Sequence, residues 1–115
     1  MNQEIFVFGS NLRGYHGAGS AYVAHRRHGA QPGIGVGLWG NSYAIPTKNC
    51  TLDVLTLVVI NYYVQQFKEF AKSRPDLTFN IVAIGCGFAG YTPEQIAPMF
   101  KDCPDNCNLP EEFKL

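Results

Sequence analysis

The chain carries 12 glycines, and they cluster: three stand at Gly85, Gly87 and Gly90, and the others all lie between Gly9 and Gly40. Glycine has no Cβ and adopts positive φ freely, but it weakens a helix or strand interior by about 0.5–1 kcal/mol relative to alanine. A chain that concentrates glycine in this way is shaping loops, and regular structure has to be sought between them. At 115 residues and 46% hydrophobic content, it has the size and the core of one domain. Nine basic residues balance nine acidic ones. That balance argues against disorder, and against broad binding to nucleic acid or anionic membranes. The expected site is therefore built from backbone rather than from side-chain charge.

The N-terminal residues Met1 to Phe6 lack the basic and apolar regions of a signal peptide. No apolar run exceeds Leu57-Val58-Val59-Ile60 in length, whereas a membrane span needs about 20 residues. The cysteines Cys50, Cys86, Cys103 and Cys107 are accordingly read as reduced thiols of a cytoplasmic protein. Cys103-Pro-Asp-Asn-Cys107 has a spacing used by zinc ligand pairs, with His25 and His28 as the conceivable second half. One proline-containing Cys pair is a weak basis for a four-ligand site, so no metal and no cofactor are expected.

Neither repeats nor linkers divide the chain. Glu4-Ile5-Phe6-Val7-Phe8 reads as a buried strand, followed by a glycine-punctuated loop from Gly9 to Gly19. Ser20 to His28 suits a helix with a basic C-terminus ending near Gly29. Glycine recurs too densely from Gly33 to Gly40 for a helix, so a hairpin or loop is expected. Ser42-Tyr43-Ala44-Ile45-Pro46 reads as a short strand with its proline at the end or on an edge. A helix is expected from Thr51 or Asp53 to Lys72 or Ser73, because Leu52, Leu55, Val59, Tyr63, Phe67 and Phe70 recur at helical spacing. Its β-branched stretch leaves a strand as the local alternative. Thr78 to Ile84 reads as a central strand that opens into Gly85-Cys86-Gly87-Phe88-Ala89-Gly90. Thr92, Pro93 and Gln95 form a helix start with a capping box. The tail from Cys103 reads as irregular, pinned by Leu109 and Phe113.

Strand, glycine loop and helix start thus occur twice. In open α/β sheets such loops meet at the carboxyl ends of the strands, where ligands bind. Loop N–H groups and a helix N-terminus together cradle an anion without Lys or Arg, and phosphate or diphosphate is the natural guest. Tight turns alone would explain one such loop, but two at equivalent strand ends favour a site. No P-loop motif is present. Gly85-Cys86-Gly87-Phe88-Ala89-Gly90 matches the dinucleotide pattern but comes too late for a downstream strand to supply a ribose-binding acid, so a Rossmann domain is excluded.

Ser10-Asn11-Leu12 with His16-Gly17-Ala18-Gly19, then Tyr43 to Lys48, then Ile84 to Gly90 resemble the macrodomain superfamily over roughly residues 4 to 100. The branch they are most similar to contains the DNA ADP-ribose glycohydrolase antitoxins and terminal ADP-ribose glycohydrolases, and small phage and bacterial macro-like proteins share the spacing. The resemblance implies a compact α/β fold, a mixed sheet flanked by helices in three α/β/α layers, with ADP-ribose bound across the strand ends. It implies that Asn11 contacts the distal ribose and that Gly17, Ala18 and Gly19 line it. Gly9, Ser10 and His16 belong to the same loop, and Gly85, Cys86, Gly87, Phe88, Ala89, Gly90 and Tyr91 would wrap the diphosphate. The implied partner is a small ADP-ribose-like nucleotide, with nucleic acid involved only where it is ADP-ribosylated.

In the glycohydrolase branch a lysine in the segment matching Pro46-Thr47-Lys48 attacks the anomeric carbon of the distal ribose. Lys48 is therefore the candidate catalytic residue, a solvated lysine being the plain alternative. Some members place an acid in the second loop where this chain has Ala89, which favours binding over hydrolysis. Asp53, near Lys48 in sequence, is read as a charge at a helix start. Macrodomains also carry an aspartate ahead of the first strand that reads adenine. None precedes Glu4, so the guest extends to variants or parts of ADP-ribose. His16 is either a proton shuttle or a loop histidine near phosphate or solvent. Cys86 is read as a small packed residue rather than a reactive thiol. Trp39, Tyr43, Phe88 and Tyr91 are either stacking surfaces or core, with Phe88 and Tyr91 the better stacking candidates.

Overall fold

Alternation along the first strand sets the architecture. In the computed structural model, which describes residues 3–114, β1 spans Gln3–Asn11 and is the middle strand of a five-stranded sheet. Ile5 and Val7 point to one face and Phe6 and Phe8 to the other, so both faces of β1 are covered. The other strands are β2 (Gly37–Trp39), β3 (Ser42–Lys48), β4 (Leu77–Ile81) and β5 (Cys107–Asn108), in the order β2-β3-β1-β4-β5. β1 runs parallel to β3 and β4, β5 runs parallel to β4, and β2 is antiparallel to β3, which makes the sheet mixed.

Helix α1 (Gly19–Arg27) lies on the Phe8 face, where Ala21, Ala24 and Ala30 allow a close approach to Phe8 and Ala44. Helix α2 (Leu57–Ser73) covers the opposite face and buries Ile60, Val64, Phe67 and Ala71 against Ile5, Val7, Tyr43, Ile45 and Phe79. The rings of Tyr43, Phe79 and Phe100 all meet Phe67 at centroid distances of 5.0–6.4 Å. The result is the three-layer α/β/α arrangement. Short helix α3 (Pro93–Ile96), two 3-10 turns (Ala97–Phe100 and Glu111–Phe113) and β5 complete the α2 side. Among the described residues no helix is long and apolar enough to cross a membrane.

Several expectations shift. α2 starts at Leu57, not at Thr51 or Asp53. Asn49 Oδ1 accepts hydrogen bonds from the N–H groups of Thr51 and Asp53 and from the Thr51 hydroxyl, and Leu52 sits at φ 67°. Those bonds wind residues 49–53 into a turn, and Thr56 caps the helix by accepting from the Val59 N–H at 3.4 Å. Asp53 therefore belongs to this turn, where its carboxylate accepts from the Thr51 hydroxyl. Pro46 is buried inside β3 and is followed by Thr47 and Lys48 in the strand. It is tolerated because β2 pairs only as far as Ala44, and the next partner on that side, Val54, bridges to Lys48 beyond the proline. β4 stops at Ile81, three residues early, as the Ile84 N–H turns back to the Val82 carbonyl. The capping box at Thr92 and Gln95 forms as expected, and Phe113 is buried as expected.

Candidate functional site

Parallel strands end together, so the loops leaving β1, β3 and β4 meet at one edge of the sheet. Between them lies a cavity of about 690 Å3. From the first loop and its helix come Gly9, Ser10, Asn11, Tyr15 and Ala18 to Ala21; from β3 come Thr47 and Lys48; from the second loop come Ile84, Gly85, Gly87, Phe88 and Ala89. Most of the residues expected at the site are thereby brought together.

The polar side chains on this wall are largely occupied in holding the loops. Ser10 Oγ donates to the Gly35 carbonyl at 2.5 Å, and Thr47 Oγ1 donates to the Ser10 carbonyl at 3.3 Å. Asn11 donates from Nδ2 to the Tyr15 carbonyl at 2.8 Å and accepts the Tyr15 N–H at 2.9 Å. Its side chain thus clamps the first glycine loop and lies in the cavity wall as a brace.

What remains open is backbone. No side chain caps α1 and its first turn has no acidic residue, so the N–H groups of Gly19, Ser20 and Ala21 have no partner among the described residues. The N–H groups of Gly87, Phe88 and Ala89 in the second loop are likewise unpartnered among the described residues. Gly85 takes φ 76°, and a Cβ there would press on Ile96. Gly19 takes φ 62°, and a Cβ there would stand 2.8 Å from the Phe88 ring.

Lys48 is the one charged side chain among the described residues on the wall. Its Nζ lies 5.9 Å from the Phe88 ring centroid, and it makes no ion pair among the described residues. Phe88 is 75% exposed and Tyr15 58% exposed, so two aromatic rings stand at the rim. Among the described residues no carboxylate lines the cavity, and Ala89 faces it from the second loop.

Five residues expected in the loops, and the aromatic candidates Tyr43 and Trp39, lie elsewhere. His16 is 6% exposed and does not line this cavity. Its Nε2 lies 3.1 and 3.2 Å from the carbonyls of Gln31 and Ile34, which requires the proton on Nε2, while Nδ1 is buried without a partner. His16 is thus a locked bracket for the 31–34 loop and no proton shuttle. Gly17 sits under the Tyr15 ring. Cys86 packs on the core, and burial, with Glu112 and Glu94 adding, pushes its thiol up. Gly90 closes a turn onto Gly87, and the Tyr91 hydroxyl donates to the Leu55 carbonyl at 2.6 Å. Tyr43 is core, and Trp39 is exposed on β2 outside the cavity.

Sequence reasoning missed Tyr15, Ser20, Ala21, Thr47, Leu52 and the stretch Val82 to Ile84 on the wall. Ser20 follows Gly19 and Tyr15 precedes His16 in the first glycine loop, so their loop position was the available signal. Among the described residues, no group of three or more His, Cys, Asp or Glu could hold a metal ion, and His25 and His28 do not join the Cys103–Cys107 pair. Comparison of the chain with protein-family models, with curated proteins and with solved structures gives no match.

Proposed function

We propose that this domain binds a nucleotide diphosphate of the ADP-ribose class at the carboxyl ends of β1, β3 and β4. The observation that carries the reading is the makeup of the cavity wall, which among the described residues offers two sets of unpartnered backbone N–H groups, one lysine and no carboxylate. Such a wall attracts an anion with geometry specific enough for diphosphate, at the positive end of a helix dipole. At about 690 Å3 the cavity has the size of a small-molecule site. Phe88 and Tyr15 give the sugar or base a flat apolar surface. The resemblance of the three motifs to macrodomains names ADP-ribose among the diphosphates.

Binding without turnover is the favoured form of this reading. Cleaving an ADP-ribosyl linkage by lysine attack also calls for a group that moves a proton, and among the described residues the wall holds no acid to do so. Glycohydrolysis is the second reading, supported by the unpaired Lys48 amine at the cavity. Calorimetric titration with ADP-ribose, ADP and ribose 5-phosphate tests binding, and the expected order of affinity is the order given. Absence of heat with all three at millimolar concentration removes the reading. Incubation with ADP-ribosylated DNA or protein tests turnover. Release by the wild type and not by Lys48→Ala establishes the hydrolase. No release by either leaves a binding protein.

A further inference from the structure

The opposite corner of the molecule holds chemistry that the cavity does not use. The chain leaves the 3-10 turn at Phe100 through Cys103 and re-enters the sheet at Cys107 in β5. A hydrogen bond from the Cys107 N–H to the Pro104 carbonyl, 3.0 Å, closes a turn between them. That turn sets Cys103 and Cys107 beside each other, close enough for each thiol to shift the other's ionisation. Asn106 anchors the turn from below: its Nδ2 donates to the carbonyls of Ala71, Arg74 and Leu77 at 3.0–3.1 Å. Lys68 fixes the other side, with its ammonium on the carbonyls of Met99 and Lys101. Both thiols are half-buried against the core, reachable by a small reagent but held in place. Neither lines the strand-end cavity.

We propose that Cys103 and Cys107 form a reversible dithiol–disulfide modification site, with a low-molecular-weight disulfide such as oxidised glutathione as the oxidant. The proposal is independent of what the cavity binds. In the first step the Cys103 thiolate attacks one sulfur of the reagent, a mixed disulfide forms on Cys103, and one glutathione thiolate leaves and takes up a proton. In the second step Cys107 loses its proton and attacks the Cys103 sulfur. The internal disulfide forms and a second glutathione leaves. Two thiols are oxidised and one external disulfide is reduced to two thiols.

The order of attack follows from the environment. The neighbouring Cys107 thiol, with the nearby Lys68 ammonium adding, holds the Cys103 thiol below its usual range. Cys107, beside Cys103 and partly desolvated, is pushed up. Cys103 is therefore the nucleophile and Cys107 the resolving thiol.

The test is exposure of the folded chain to oxidised glutathione, followed by intact-mass and peptide mass analysis, with exposed Cys50 as the internal control. The expected product has lost two hydrogens through a Cys103–Cys107 link, carries glutathione only on Cys50, and reverts with dithiothreitol. In Cys107→Ser a stable glutathione adduct accumulates on Cys103, at least tenfold faster than on Cys107 in Cys103→Ser. A persistent adduct on either residue of the wild type, or reaction at Cys50 alone, overturns the proposal.

Discussion

Lys48 is the residue on which the cavity's electrostatics turn, since its amine rests near the Phe88 ring with no acid among the described residues to neutralise it. Lys48→Ala is expected to weaken ADP-ribose binding about tenfold, or about 1.4 kcal/mol, with Lys48→Arg retaining most of the affinity in the same calorimetric titration. Lys48 was legible only through the resemblance of Pro46-Thr47-Lys48 to the glycohydrolase motif, and it stands at the end of β3 on the cavity wall. The duties of Asn11 and His16 were not. Whether such a side chain faces a guest or holds a loop depends on carbonyls of Tyr15, Gln31 and Ile34, some far along the chain. The glycines divide in the same way. A Cβ at Gly35 would run into the Asn11 carbonyl, so Gly35→Ala should destabilise the fold by about 3 kcal/mol in urea unfolding, through overpacking. Gly87, by contrast, has open space where its Cβ would be, on the cavity wall, so its glycine leaves room for a guest.

At the scale of elements, hydrophobic spacing located β1, α2 and the core of β4, while boundaries were set by polar side chains and by pairing. Asn49 winds a turn in front of α2, which neither periodicity nor propensity reveals, and Thr56 becomes the cap. Thr56→Ala should lower unfolding free energy by about 1 kcal/mol, the usual worth of a lost N-cap, as measured by denaturant midpoint. β5 was unreadable as a strand because it is two residues long and exists by pairing with Phe79 and Asn80. Asn106 makes that pairing durable through its three carbonyl contacts. Asn106→Ala, which removes all three of these contacts, should destabilise by about 2 kcal/mol and speed amide exchange in β5.

For the whole molecule, the strand–loop–helix unit repeated at two places was enough to expect a layered α/β fold, and the α/β/α sheet follows it. Its central packing also sets a pH limit. Burial raises the Tyr43 phenol from 10.0 to about 12, so the folded state holds that proton more tightly than the unfolded chain. The contribution is whole below pH 10 and is lost as pH rises through about 12. Urea midpoints should fall across that window, and Tyr43→Phe should flatten that part of the decline. The central proposal concerns the cavity at the strand ends, where open backbone N–H groups and Lys48 are proposed to hold a diphosphate. The most direct measurement is calorimetry of ADP-ribose into the wild type and into Gly87→Val, whose Cβ would stand in open space on the cavity wall. The account predicts one site of micromolar affinity in the wild type and at least a tenfold loss in the variant at unchanged melting temperature. Equal binding by both, or no heat from the wild type at millimolar ligand, would contradict it.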